Sequence, residues 1–263
     1  MPGPETVLVT GASSGIGLEL ARCFAAEGCA LALVSRNRPA LEKLAAQLQA
    51  DFRTQTHIFP ADLAQPDAPV RVFDHFQQAG LPIDILVNNA GFGFKGRFDQ
   101  IPLQSQLDML QVNVMALTSL TRLFLPGMIQ RGRGGLLNVA STAAFQPGPG
   151  MAVYYASKAC VLSLTEAIAE ELANTGVTVT ALCPGPTATN FYVAAGAEAS
   201  NIFRRLSMSA AQVAKIGHQA FRKGRVIAIP GMRNKLGTFA VRLAPRKTVR
   251  KVAARINTTP GQA

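Results

Sequence analysis

The sequence predicts a single α/β domain, in which a doubly wound parallel sheet of about seven strands carries helices on both faces. Apolar runs of strand length alternate with helical patterns, which is typical of βαβ units. A chain of 263 residues, 48% of them hydrophobic, can also form one large core. The apolar runs lie at about 6–10, 29–35, 56–60, 83–88, 135–141, 177–183 and 226–230. The helical patterns lie at about 15–28, 38–50, 67–79, 103–130, 152–174 and 209–222.

The first apolar run leads directly into a glycine-rich turn, and a helical pattern begins at about Gly15. Glycines allow the backbone to turn sharply and to approach a pyrophosphate, whose charge then lies at the helix N-terminus. The spacing is G-x-x-x-G-x-G, whereas the usual dinucleotide pattern is G-x-G-x-x-G. The turn indicates a nucleotide site, although such turns also join strands to helices without a ligand. Its residues are Thr10-Gly11-Ala12-Ser13-Ser14-Gly15-Ile16-Gly17.

A tyrosine and a lysine lie one helical turn apart in the pattern at 152–174, so that Tyr154 and Lys158 share a helix face. An isolated phenol has a pKa near 10. An ammonium at about 4 Å, at an effective dielectric of about 20, favours the phenolate by up to ~4 kcal/mol before screening. The spacing therefore predicts a phenol with a lowered pKa, suited to general acid/base chemistry. The alternative is an ordinary amphipathic helix.

These two features resemble the classical short-chain dehydrogenase/reductase family, and four further motifs follow in the family's order. Each of them comes after an apolar run or lies in the long helix. They are Asp62-Leu63, Asn88-Asn89-Ala90-Gly91 with Asn113 in the next helix, Ser141 thirteen residues before Tyr154, and Pro184-Gly185-Pro186-Thr187-Ala188-Thr189. The resemblance covers residues 10 to about 190. It implies a Rossmann-type sheet with the strand order 3-2-1-4-5-6-7.

The resemblance also implies roles for particular residues in carbonyl reduction. Tyr154 delivers the proton, Lys158 lowers the phenol pKa and bonds the ribose, and Ser141 bonds the substrate oxygen. Asn113 anchors a water of a proton relay. Tyr155 is also near Lys158, but the Ser141 spacing and the Y-x-x-x-K pattern select Tyr154. The cofactor-binding residues implied are Gly11, Ser13, Ser14, Gly15, Ile16, Gly17, Arg36, Asp62, Leu63, Asn89, Ala90, Gly91, Tyr154, Lys158, Pro184, Gly185, Thr187 and Thr189.

The end of the second apolar run bears on which nicotinamide cofactor binds. An acidic residue at this point commonly binds the ribose 2′-hydroxyl of NAD. Here the run ends in Ser35-Arg36-Asn37-Arg38, which contains no carboxylate. The Arg36 guanidinium can bind a 2′-phosphate bidentately, with neutral hydrogen bonds from Ser35 and Asn37. The sequence thus predicts NADP(H) in preference to NAD(H). A solvated charge at a strand end is the alternative.

The function predicted is an NADP(H)-dependent oxidoreductase that interconverts a carbonyl and a secondary alcohol on an apolar small molecule. A non-catalytic NADP(H)-binding regulator is the alternative, and the intact Ser141, Tyr154 and Lys158 argue against it. The segment at about 187–208 is rich in apolar residues and predicts a lid over the substrate. The family also implies a homodimer or homotetramer, formed through the helices at about 103–130 and 152–174.

The positive charge is confined to the C-terminal part of the chain. Residues 1–198 carry 12 basic and 15 acidic residues, whereas residues 199–263 carry 14 basic residues and none that is acidic. We therefore divide the chain into a catalytic domain at 1–230 and a basic extension at 231–263. Only three aromatic residues and no nucleic-acid motif accompany this charge, which disfavours nucleic-acid binding.

The extension contains a basic amphipathic helix at 246–256. We expect this helix to bind in one of three ways. Its small apolar face could cover the protein's own core or a neighbouring subunit, or the helix could bind a membrane surface or an acidic carrier protein. The apolar residues at helical spacing are Val249, Val252, Ala253 and Ile256.

The predictions about compartment and metal binding rest on patterns that the sequence lacks. No apolar run of 18 residues lacks Pro, Gly or several polar residues, so no transmembrane helix is predicted. The N-terminus does not resemble a secretory signal. The four cysteines and three histidines form no ligand pattern, which predicts free buried thiols, no metal and a cytoplasmic protein that could be peripheral at a membrane. They are Cys23, Cys29, Cys160, Cys183, His57, His75 and His218.

Overall fold

A computed structural model describes residues 4–189 and 207–257. Its main element is a seven-stranded parallel sheet with the order β3-β2-β1-β4-β5-β6-β9, which confirms the predicted topology. The strands are β1 Thr6–Thr10, β2 Ala30–Ser35, β3 Thr56–Pro60, β4 Ile85–Asn88, β5 Gly134–Val139, β6 Val177–Leu182 and β9 Ile227–Ala228. A separate two-stranded pair, β7 Thr187–Ala188 and β8 Met208–Ser209, lies beyond β6.

Helices cover both faces of the sheet, as predicted for a doubly wound fold. They are α1 Gly15–Ala26, α2 Arg38–Phe52, α3 Ala68–Gln78, α4 Leu103–Leu110, α5 Leu117–Arg131, α6 Ala152–Glu171, α7 Ala210–Arg222, α8 Met232–Leu243 and α9 Arg246–Asn257. Two buried apolar clusters separate the helices from the sheet, one centred on Leu31, Leu33 and Phe24, the other on Leu86 and Leu120. The central strands β1, β2 and β4 are buried along their whole length, which agrees with their mostly apolar sequences.

The long helix predicted at 103–130 is interrupted. A wider, π-helical segment, Gln111–Ala116, joins α4 to α5. By length and composition alone, the helix spanning Leu103–Arg131 is the one candidate membrane span among the described residues, and 44% of its most apolar window is buried in the fold. Its inner face carries Leu120, Phe124 and Met128 into the core. The helix therefore forms part of the layer that packs on the sheet.

A buried polar network ties the middle of the sheet to the helices that carry the site. Asn88 on β4 donates to Thr121 Oγ1 at 3.0 Å and to Asn138 Oδ1 at 2.9 Å. Asn138 on β5 donates in turn to Thr165 Oγ1 on α6 at 3.0 Å. Buried hydrogen bonds of this kind fix one packing arrangement, because an unpaired polar group would be costly. The network holds α5 and α6 in place below the ends of β4 and β5.

The C-terminal extension folds into two helices, of which the sequence patterns predicted only the second. Val249 and Ala253 on α9 are 8% and 2% exposed, whereas Val252 and Ile256 are 48% and 54% exposed. Half of the predicted apolar face is thus turned into the protein. These two residues pack against the protein itself, in agreement with the first of the three predicted partners.

The four cysteines are free thiols, as expected, but they are not all buried. Cys29 and Cys183 are buried and Cys160 is exposed. Burial raises the pKa of Cys183 to about 12 and that of Cys29 to about 11. Both buried thiols are therefore protonated at neutral pH and act as small apolar side chains.

Candidate active site

A single pocket of about 680 Å³ lies at the carboxyl ends of the central strands and collects nearly all of the predicted site residues. Ligands bind at this edge of open parallel sheets, where the strand order reverses. Two predicted residues, Gly17 and Asn113, do not line it. The predicted residues that do are Gly11, Ser13, Ser14, Gly15, Ile16, Arg36, Asp62, Leu63, Asn89, Ala90, Gly91, Ser141, Tyr154, Lys158, Pro184, Gly185, Thr187 and Thr189.

The turn between β1 and α1 has the form of a phosphate cradle. Gly11 and Gly15 have φ angles of +64° and +58°, which residues with a Cβ rarely adopt. Ser14 is the N-cap of α1, and its side chain makes no capping hydrogen bond among the described residues. The first backbone N–H groups of α1 are thus available to a bound anion.

Gly17 does not line the pocket, and the contacts around it are packing contacts. A Cβ at this position would collide with the carbonyl of Gly11 and the side-chain amide of Asn89. That amide donates to Thr10 O at 2.9 Å and Gly11 O at 3.2 Å, and so joins the β1 turn to the β4 turn. Only glycine allows the two turns to approach this closely.

The end of β2 offers polar groups at the predicted ribose position. Ser35 Oγ is buried and has no hydrogen-bond partner within the described part of the chain, and Arg36 beside it is exposed and lines the pocket. Asn37 caps α2 by accepting from Ala40 N at 3.0 Å. An anion here would therefore meet a guanidinium, a hydroxyl and the positive end of a helix.

Ser141, Tyr154 and Lys158 meet at the centre of the pocket. Ser141 follows β5 and accepts a hydrogen bond from Ala143 N at 3.0 Å, which fixes its side chain. The Tyr154 hydroxyl is hydrogen-bonded to Ser141. Lys158 is buried, donates to Val139 O at 2.8 Å and has its Nζ 5.9 Å from the centroid of the Tyr154 ring. The three side chains thus form one cluster around a position where a small polar group can bind.

The predicted direction of the Tyr154 pKa shift is wrong for this structure. Burial raises the pKa of Tyr154 to about 12, and the Ser141 hydrogen bond offsets this only in part. Burial also lowers the pKa of Lys158 to about 8. The prediction assumed an ammonium about 4 Å from the phenol, but desolvation outweighs any such attraction when both groups are enclosed. At neutral pH the phenol is protonated and the lysine is largely charged.

Asn113 lies behind the pocket and is completely buried. It donates to Phe92 O at 2.9 Å and to Ser157 Oγ at 3.0 Å, and accepts from Phe92 N at 3.0 Å. It belongs to the π-helical segment, and such wider turns are frequent at functional sites. A Cβ on Gly91 would lie 3.0 Å from Asn113 Oδ1 and 3.2 Å from Lys158 Nζ. Asn113 therefore positions the loop of Gly91 and Phe92, which lies between Asn113 and Lys158.

The C-terminal extension contributes two pocket residues that the sequence patterns did not indicate as site residues, Ile256 and Asn257. Tyr155 Oη donates to Asn257 Oδ1 at 3.2 Å, and Asn257 Nδ2 donates to Pro149 O at 3.0 Å. These bonds bind the end of α9 to the start of α6. Tyr155 thus shapes the pocket, while Tyr154 bonds Ser141. The predicted lid at about 187–208 lies almost entirely outside the described residues.

The fold and the pocket are those of a nucleotide-binding protein of the Rossmann type. Its residues 5–199 match the model of the short chain dehydrogenase family. The chain belongs to this family.

Individual relatives agree with this assignment. The chain is 36% identical over 181 residues to the ketoacyl reductase HetN of Nostoc sp., a match that covers 69% of this chain and 63% of that protein. A short-chain dehydrogenase of Sphingobium yanoikuyae, solved with NADPH, has a TM-score of 0.83, 31% identity and 98% coverage of both chains. One from Burkholderia phymatum, solved with NAD, has a TM-score of 0.81, 25% identity, and coverage of 99% of this chain and 98% of that one. Related proteins thus bind either nicotinamide cofactor.

Proposed function

We propose that this protein is an NADP(H)-dependent oxidoreductase that interconverts a carbonyl and a secondary alcohol on an apolar small molecule. The observation that carries the proposal is the cluster of Ser141, Tyr154 and Lys158 in the same pocket as the phosphate cradle. Bound nicotinamide supplies the hydride. The chain's own residues supply the proton and the hydrogen bonds that orient the substrate.

Tyr154 is suited to give a proton to a carbonyl oxygen, because its hydroxyl is protonated at neutral pH and lies inside the pocket. The Ser141 hydroxyl, which donates to Pro184 O at 3.4 Å, can instead donate to the substrate oxygen as negative charge develops there. Lys158 places a positive charge behind the phenol and offers further donors to the ribose hydroxyls. Asn113 connects to this group through Gly91 and Ser157, which supports its proposed part in returning protons.

The preference for NADP(H) is supported by the residues at the end of β2. A 2′-phosphate would find the Arg36 guanidinium, the unpartnered Ser35 hydroxyl and the N-terminus of α2. No carboxylate stands in this turn to accept from a free 2′-hydroxyl. The NADPH found in the Sphingobium yanoikuyae relative agrees with this preference.

An apolar substrate is supported by the outer part of the pocket, which Phe92, Met151, Tyr155 and Ile256 line. The Nostoc relative is a ketoacyl reductase, a name that denotes an oxo group on an acyl chain. The proposal is tested with a panel of ketones, aldehydes and oxoacyl thioesters, offered with NADPH and, separately, with NADH. We expect carbonyl-dependent oxidation of NADPH, faster than that of NADH. NADPH binding without turnover of any carbonyl would contradict the proposal.

The pH dependence of carbonyl reduction is expected to follow Lys158. Because burial lowers the pKa of Lys158 to about 8, its ammonium is present below that pH and is lost above it. Tyr154, whose pKa burial raises to about 12, keeps its proton throughout. We therefore expect kcat/KM for reduction to be level up to roughly pH 7 and to fall about tenfold per unit well above pH 8. A rate independent of pH up to roughly pH 10 would contradict the assignment.

We further propose that the protein is a homodimer or homotetramer. On the outer side of α4 and the π-helical segment, Leu103, Leu107 and Met115 are 72%, 47% and 56% exposed. A second copy of the same helices would cover such side chains, in agreement with the family's helix-to-helix assembly. Light scattering at micromolar concentration is expected to give at least twice the 27.8 kDa of the chain, and a monomeric mass would contradict this.

A further inference from the structure

Helix α8 carries an apolar stripe on its outer side. At 3.6 residues per turn, its four members fall within an arc of roughly 60°. Their side chains are the most exposed large apolar ones of the C-terminal extension: Met232 at 68%, Leu236 at 62%, Phe239 at 60% and Leu243 at 74%. Contiguous exposed apolar side chains mark an interaction surface more often than single ones do.

The inner side of α8 packs on the protein, so the orientation of the stripe is fixed. Asn234, Thr238 and Val241 fall opposite the stripe on the helix, and Thr238 is 7% exposed. Asn234 donates to Pro230 O and lies against Gly185, a residue of the pocket wall. The stripe therefore faces away from the pocket across the thickness of one helix.

Basic side chains flank the stripe on both sides. On the helix, Arg233 lies about a quarter turn to one side, while Lys235 and Arg242 lie about a quarter turn to the other. All three are exposed. The following helix adds exposed Arg246, Lys247, Arg250, Lys251 and Arg255. Long cationic side chains beside an apolar stripe can reach lipid phosphates while the stripe enters the acyl region.

We propose that α8, with the basic side chains of α8 and α9, binds the protein to an anionic membrane surface. A second copy would bring an equally basic surface against this one, and the like charges would repel. An anionic surface complements the charge, because the sequence has no acidic residue after Glu198. The stripe stands out from a convex helix, which suits insertion into a lipid interface better than docking against a rigid protein surface.

Helix α9, which follows α8, adjoins the mouth of the pocket, because its Ile256 lines the pocket and is 54% exposed. If the proposed function holds, an apolar substrate dissolved in the lipid would reach the pocket without crossing water. Membrane binding itself does not depend on that function. It is therefore measured without turnover.

The test is co-sedimentation of the full chain with phosphatidylcholine vesicles, with and without phosphatidylglycerol. We expect binding only to the anionic vesicles, and weaker binding as salt rises. Leu236→Ser with Phe239→Ser is expected to weaken binding by at least tenfold, since each change removes most of an apolar side chain that would enter the lipid. The matched control is Phe98→Ser, which replaces a Phe 65% exposed elsewhere on the surface and should leave binding unchanged.

Charge is tested separately with Arg233→Gln and Arg242→Gln, against Lys43→Gln and Arg71→Gln as the control. The first pair should weaken binding by roughly tenfold or more, and the control pair should have little effect. Failure to bind either kind of vesicle would overturn the proposal. Loss of binding on removal of charge, but not of the stripe, would indicate a purely electrostatic contact, as with an acidic protein. A lower mass of the stripe variant in light scattering would indicate a second copy instead.

Discussion

Replacing Tyr154 by phenylalanine is expected to lower kcat for carbonyl reduction by about 10²- to 10⁴-fold while NADPH still binds. The change removes only the hydroxyl, which bonds Ser141 and faces the pocket. The glycine turn, Arg36 and Lys158 keep their positions, so the dissociation constant of NADPH should change by less than about threefold. Single-turnover rates and a fluorescence titration of NADPH measure the two quantities separately.

Tyr155→Phe is the matched control, because the neighbouring tyrosine lines the same pocket. Its hydroxyl bonds Asn257 and not Ser141. This variant should keep most of kcat and show at most a moderate rise in KM through a looser α9. If Tyr155→Phe lost turnover and Tyr154→Phe kept it, the assignment of the proton donor would be reversed.

Replacing Arg36 by aspartate is expected to invert the cofactor preference from NADPH to NADH. A charged hydrogen bond contributes about 1.5–3 kcal/mol, and a carboxylate would in addition repel the 2′-phosphate. We therefore expect NADPH affinity to fall by about 100-fold or more. NADH affinity should rise, because the carboxylate can accept from a free 2′-hydroxyl.

Arg38→Asp controls for the charge change alone. Arg38 is two residues further on, forms an exposed ion pair with Glu42 at 3.6 Å and does not line the pocket. Exposed pairs of this kind contribute little, so NADPH affinity should change only slightly. If Arg36→Asp left the NADPH affinity unchanged, Arg36 would not be part of the cofactor site.

The sheet and most of the pocket could be predicted because each depends on local patterns. Apolar runs predicted the strands, and the resemblance to the family implied their order, so that the end of each strand carries its site residues to one edge. Residues such as Ser141 and Lys158 are 17 positions apart in sequence, yet the parallel sheet brings them together. The order of the motifs along the chain therefore indicates which residues meet in the pocket.

Features that depend on burial or on distant contacts could not be predicted. The pKa shift of Tyr154 was expected in the wrong direction, because the sequence shows the neighbouring charge but not the desolvation of both groups. The role of Asn257 depends on a contact 102 residues away, with Tyr155. The apolar stripe of α8 could not be recognised from the sequence, because the sequence does not show which side of the helix packs on the protein. The packing of Gly17 against Asn89 could not be predicted either, because a packing glycine and a ligand-binding glycine have the same sequence signature.

The most direct test of the proposed function is isotope transfer from NADPH in which deuterium replaces both hydrogens on the ring carbon that gives up the hydride. The unaltered protein, given a ketone from the panel, should form an alcohol with one deuterium on the carbinol carbon. With Tyr154→Phe, the labelled alcohol should form at least about 100-fold more slowly. An alcohol without deuterium, or equal rates of labelling by the two proteins, would contradict hydride transfer assisted by Tyr154.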